Sequence, residues 1–96
     1  SIMLLDVREK WEFDLCSIPE SIHMPIAEVI LRISELEKTN PIIIICHNGR
    51  RSLHIGLELI EKGFDNVINL KRLKYLTDEY NRIIRLDKIK KHYIIR

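Results

Sequence analysis

The sequence is short of the residues that mark several common protein classes. It has two cysteines in 96 residues, too few for a disulfide framework, and no spacing of Cys and His that would hold zinc. No apolar run approaches the roughly 20 residues that a membrane-spanning helix needs, so no membrane partner is expected. Positive and negative charges nearly cancel. The net charge of +2 is too small to argue for nucleic acid by itself, and no nucleic-acid partner is expected. There is no internal repeat, low-complexity segment or linker. The chain opens on Ser1 rather than Met, which leaves room for a removed tag, signal peptide or upstream segment. The expected compartment is the cytoplasm, with export the alternative if a signal peptide was removed. What is present is the composition of a globular protein, 46% hydrophobic and 31% charged. A chain of this length makes one domain with room for one core, and a monomer is expected.

The pattern along the chain alternates strand and helix. "IMLLDV" (residues 2–7) is an apolar run that reads as a buried strand. "REKWEFDL" is a short helical or turn segment, in which Trp11 is expected to pack. Prolines on both sides of "IPESIHMP" leave room only for a short strand near residues 21–23. From Pro25, "PIAEVILRISELEK" reads as a helix, with Ile26, Val29, Ile30, Ile33 and Leu36 or Glu37 at the helical spacing. "IIIIC" is continuous and β-branched, the pattern of a central parallel strand covered on both faces. A helix over residues 51–62 is expected to bury Leu53, Leu57 and Ile60, with Gly63 as its stop. "NVINL" is a further strand, and Leu73, Leu76, Tyr80, Ile83 and Ile84 suggest a last helix. The expected fold class is therefore α/β, with a central, mostly parallel sheet flanked by helices.

In the stretch "IIIICHNGRRSLHIGLELIEKGF", residues 42–64, a thiol stands where a central strand hands over to a helix. Ligands bind at that end of open α/β sheets. Several backbone N–H groups of the loop can point at its centre, and Gly49 permits a conformation that other residues resist. With the helix dipole this favours an anion. Arg50, Arg51 and protonatable His47 add positive charge. A thiol held there is expected to ionise readily, and the thiolate is the nucleophile. A buried cysteine at a strand end is more often a small packing residue. A packing cysteine, however, has no need of a glycine-arginine loop.

Three stretches together resemble a rhodanese-like domain of the single-domain thiosulfate sulfurtransferase type, over about residues 3–70. "CHNGRRS" fits the family's Cys-x-x-Gly-x-Arg-Ser loop. "DVRE-x-x-E" followed by "IP-x-SIH-x-P" is a second signature, and "GFDNVINL" is a third. The resemblance implies a sulfurtransferase in which Cys46 carries a sulfane sulfur as a persulfide. It implies that the backbone of His47, Asn48, Gly49, Arg50 and Arg51 cradles the substrate, with Arg51 as the loop arginine. Asp6, Arg8 and Ser52 would be supporting residues, Asp6 and Arg8 as a structural ion pair. His23 matches a structural position; His54 and His92 have no partner that would make them ligands or bases. The implied partners are a small sulfur donor (thiosulfate or a persulfide) and a thiol, cyanide or protein sulfur acceptor. No cofactor and no metal are implied.

The sequence also departs from that family. Members usually carry another strand and helix before "LLDVR", so an N-terminal part shortened relative to the family is expected. The usual pair of glycines after "NL" is replaced by Arg72 and Leu73 in "NLKRLKYL", with Tyr75 or Tyr80 as candidates for the lost aromatic packing. Residues 71–96 form a divergent tail, expected to be helical. That tail holds nine Lys/Arg against three Asp/Glu, a net of +6, whereas residues 1–70 hold seven against eleven, a net of −4. The excess reads as a solvated helix face, with a docking surface for an acidic partner as the alternative. Two rival functions stay open. A Cys-dependent phosphatase or arsenate reductase needs five residues between Cys and Arg to bind an oxyanion bidentately; here Arg51 comes one position early. A non-catalytic rhodanese-fold binding module fits the altered "KRLKYL". The second thiol, Cys16 in "FDLCSIPE", lies beside Asp14 and Glu20, which disfavour a thiolate.

Overall fold

Apolar, β-branched runs build the sheet. A computed structural model describes residues 2–47, 50, 52–71, 76–85 and 92–95. The strands are β1 (Met3–Asp6), β2 (Ile22–His23), β3 (Ile42–Ile45), β4 (Asn66–Leu70) and β5 (His92–Ile95). Their order is β2-β1-β3-β4-β5, and every pair is parallel. The expected α/β architecture is thus the one that forms. β3 is central, and its four isoleucines are at most 3% exposed. Successive side chains alternate faces. Ile42, Ile44 and Cys46 join a cluster with Leu5, Val7, Ile55, Leu59 and Phe64. Ile43 points the other way, toward Ile68 and Leu70, with the partly buried Ile2, Leu4 and Leu76 packed against them. Helix α2 (Leu53–Glu61) therefore covers the first face and α3 (Leu76–Arg85) reaches the second. No helix among the described residues is long and apolar enough to cross a membrane.

Helix α2 stops as its sequence dictates. Gly63 takes φ 102°, a backbone conformation that other residues resist. Its N–H donates to the Ile60 carbonyl at 3.1 Å, and the Phe64 N–H donates to Leu59 at 3.0 Å. These two bonds are the Schellman closure, and the buried Leu59 and Phe64 supply its apolar contact. The buried residues of α2, however, are Ile55, Gly56 and Leu59; of the expected Leu53, Leu57 and Ile60, Ile60 packs partly buried against the core, Leu53 is half-buried and Leu57 is 49% exposed. Both sets have helical spacing, so periodicity alone does not choose between them. Gly56, having no side chain, adds nothing to an apolar count.

Three other expectations are corrected. Residues 25–38 do not form one helix but two short 3₁₀ turns, Ile26–Glu28 and Ile33–Glu35. With three residues per turn, each can turn an i, i+3 pair inward. Val29 and Leu36 are buried and Ile26 and Ile33 pack against the core, whereas Ile30 and Leu31 are exposed. Val29, Ile30 and Ile33 are β-branched, which weakens a continuous helix. Arg32 ties the turns together: its guanidinium donates to Glu28, to Glu35 and to the His23 carbonyl of β2. Trp11, expected to pack, is 69% exposed. The six-residue helix α1 (Lys10–Leu15) turns Glu12 and Phe13 toward the molecule instead. Finally, the tail is not helical throughout, because β5 extends the sheet beside β4. Leu73 and Tyr75 lie outside the described residues.

Candidate active site

Cys46 is placed by β3. The Val7 N–H donates to the Ile45 carbonyl at 3.0 Å, so the end of β3 is tied to β1 and the thiol leaves the sheet from a rigid point. The thiol is free, and the residue is only 6% exposed. His47 beside it is exposed, with Nδ1 3.9 Å from a carboxylate oxygen of Glu12 on α1. Arg50 is exposed, and its carbonyl accepts the Leu53 N–H at 3.3 Å, which turns the chain into α2. Ser52 is fully buried and donates its hydroxyl to Oδ1 of Asn69 at 2.6 Å. The structure thus brings Cys46, His47, Arg50 and Ser52 to the carboxyl edge of β3. Asn48, Gly49 and Arg51 lie outside the described residues.

Asp6 and Arg8 form an ion pair at the end of β1. The Arg8 guanidinium donates to both carboxylate oxygens, the shortest contact being 2.9 Å, and the Arg8 N–H donates to Oδ1 at 3.0 Å. The guanidinium also reaches the Cys16 carbonyl at 2.6 Å. Hydrogen bonding to Asp6 holds the guanidinium above its ordinary pKa, outweighing a burial cost that acts the other way. The pair braces the chain where β1 ends and α1 closes. An open cavity of about 110 Å³ is lined by Asp6, Arg8, Cys16, Ser17, Ile18 and Ile45, the residue before Cys46. Cys16 is exposed, and besides its acidic neighbours in sequence it has Arg8 beside it. His23 Nε2 lies 2.9 Å from the Arg8 carbonyl, and its ring stacks on Phe13 at 4.3 Å. These contacts give it a structural place at the β2 edge.

Two residues at this site had no role assigned from sequence. Glu12 is the last of the three acids of "DVRE-x-x-E". It caps α1 by accepting the Glu9 N–H at 3.1 Å, besides facing His47. Asn69 is fully buried in β4. The signal that could have found it is a polar residue inside "NVINL", where burial on both faces calls for an apolar one.

The sequence profile of the Rhodanese-like domain matches residues 1–72. The chain belongs to the rhodanese-like family. Among its relatives is YrkF of Bacillus subtilis, named as a putative sulfur carrier protein, 43% identical over 70 residues, which are 73% of this chain and 38% of that protein. A sulfurtransferase of Allochromatium vinosum is 30% identical over 70 residues, 73% of this chain and 65% of that protein. This rhodanese-like chain therefore spans less than two thirds of the length of these relatives. Among solved structures, a rhodanese-related protein from Thermoplasma volcanium superposes with a TM-score of 0.69 at 29% identity, covering 80% of this chain and 78% of the other. The profile match ends close to the substituted Arg72 and Leu73. Helix α3 and β5 lie beyond it.

Proposed function

We propose that this rhodanese-like chain transfers a sulfane sulfur from a donor such as thiosulfate to a thiophilic acceptor, through a persulfide on Cys46. The observation that carries the reading is the placement of Cys46: a free, nearly buried thiol ends the central parallel strand and opens a Cys-x-x-Gly-x-Arg-Ser loop that leads into α2. In the first step the Cys46 thiolate attacks the outer sulfur of thiosulfate. The S–S bond of the donor breaks, and sulfite leaves with the electron pair. Arg50, Arg51, His47 and the loop N–H groups offset the negative charge that gathers there. In the second step an acceptor nucleophile attacks the outer sulfur of the persulfide and the Cys46 thiolate returns. With cyanide as acceptor the product is thiocyanate. Two half-reactions on one cysteine imply ping-pong kinetics. Asp6, Arg8 and Ser52 support the loop without touching the sulfur.

The test is an intact mass after incubation with thiosulfate. The wild type and Cys16→Ser should each gain one sulfur atom. Cys46→Ser should gain none and lose turnover with cyanide. A Cys46→Ser protein that still gains sulfur would sink the reading. Aryl-phosphate hydrolysis that depends on Cys46 would instead favour a phosphatase, although the loop is one residue short for that chemistry.

A further inference from the structure

Asn69 is out of place by the ordinary rules of core composition. It stands in β4, paired with Ile44 of β3 on one side and Ile95 of β5 on the other. Its exposure is 0%. A polar amide in such a position is costly unless it is hydrogen-bonded, and a branched apolar residue of similar size would avoid that cost. Alternation along β4 puts Asn69 on the same face as Val67, which belongs to the cluster that includes Cys46 and the buried residues of α2. Ile44, its neighbour in register, is two residues before Cys46 and on the same face.

Ser52 is also used in an unusual way. It occupies the position just before α2, where a serine ordinarily accepts a hydrogen bond from the first helical turn. Its side chain makes no such capping bond. The hydroxyl donates to Asn69 Oδ1 instead, at 2.6 Å and fully buried. The loop between Cys46 and Ser52 is thereby tied at both ends to rigid strands. Its start is the end of β3, and its finish is held by a side chain of β4. A cradle of backbone N–H groups works only if both ends are fixed, because its donors must already point at the anion before it arrives.

We infer that Asn69 is a positioning residue for the Cys46 loop, acting through the Ser52 hydroxyl to set the finish of the cradle around the thiolate and its anionic donor. The inference rests on the reading of Cys46 as the sulfur carrier. Ser52→Ala, Asn69→Ala and the double variant, each made with Cys16→Ser, separate the two. Three quantities are read: the pH midpoint of Cys46 alkylation by iodoacetamide, the KM for thiosulfate with cyanide as acceptor, and the urea unfolding midpoint. Each single variant should raise the alkylation midpoint and raise KM by about tenfold, the worth of one hydrogen bond. The double variant should go no further than the larger single, because both remove the same bond. Shifts confined to the urea midpoint, or shifts that add fully in the double, overturn the assignment. Ser52→Ala removes a single oxygen and carries the test alone if Asn69→Ala does not fold. Alkylation needs no sulfur donor. A protein inactive with thiosulfate whose alkylation midpoint moves in Ser52→Ala therefore keeps the positioning role and loses the sulfur-transfer reading. Turnover with an unmoved midpoint does the reverse.

Discussion

Gly63 shows how a single residue is tied to its backbone. Its φ of 102° is one that a side chain resists, whereas space is not the constraint: among the described residues an added Cβ would meet only the Lys38 side chain, at 3.7 Å. Gly63→Ala should therefore cost about 1–2 kcal/mol through backbone strain alone. Urea unfolding should show that loss while sulfur turnover at saturating thiosulfate stays at the wild-type value, since Gly63 lies at the far end of α2 from Cys46. At the other end, Cys46 and Cys16 differ by environment rather than by chemistry. One is nearly buried where β3 meets a loop rich in arginine; the other is exposed after α1, its carbonyl held by Arg8. The mass experiment on the two serine variants reads that difference directly.

The two 3₁₀ turns between β2 and β3 are joined by side-chain ion pairs. Arg32 donates to Glu35 through two hydrogen bonds and to Glu28 through a third. The Arg32 hydrogen bonds hold the Glu35 carboxyl below its ordinary pKa. A carboxyl depressed in the folded state contributes stability above its unfolded value, and that contribution is lost as the pH falls through the folded value. Replacing Arg32 by Gln should thus lower the unfolding temperature at pH 7, and the gap to wild type should narrow as the pH falls below the ordinary glutamate range and Glu35 takes up its proton. Both carboxylates are solvent-exposed, so the gap itself should be small. A gap that stays constant from pH 7 to pH 3 would remove the electrostatic explanation and leave only lost packing of the Arg32 stem.

For the molecule as a whole, the last strand decides whether β4 is interior or edge. β5 pairs along Asn66–Asn69 of β4. Ending the chain after residue 91 should expose the N–H and C=O groups of β4 and an apolar row beside them, a template for edge-to-edge association. The truncated protein should elute as aggregate in size-exclusion chromatography and unfold at lower urea; a stable monomer would show that β5 is dispensable. The same region carries the segregated charge, +6 in residues 71–96 against −4 in the rest. Lys88, Lys90 and Lys91 lie outside the described residues, and a docking role for them is a proposal resting on charge alone. Changing all three to Gln should flatten the salt dependence of transfer to an acidic protein acceptor while leaving transfer to cyanide unchanged. An unaltered salt dependence would return these lysines to the solvated surface.

Much of the fold around Cys46 was legible in one dimension because it depends on local order. A continuous β-branched run reads as a strand covered on both faces. A cysteine followed by glycine and arginines before a helical pattern marks a strand-to-helix junction, and Gly63 marks the end of the helix. These follow from backbone sterics and from the period of side-chain directions, which act between near neighbours in the chain. Tertiary contacts decided the rest. Packing against the sheet decided which residues of α2 are buried, with Ile55 and Leu59 in the core and Leu57 exposed. Packing over the sheet broke residues 25–38 into two turns. Pairing with β4, remote in sequence, drew residues 92–95 into a strand. The partnership of Ser52 with Asn69, seventeen positions apart, appears only when β4 lies beside β3, because a hydrogen bond is satisfied by nearness in space; "NVINL" marks Asn69 as out of place but does not name its partner.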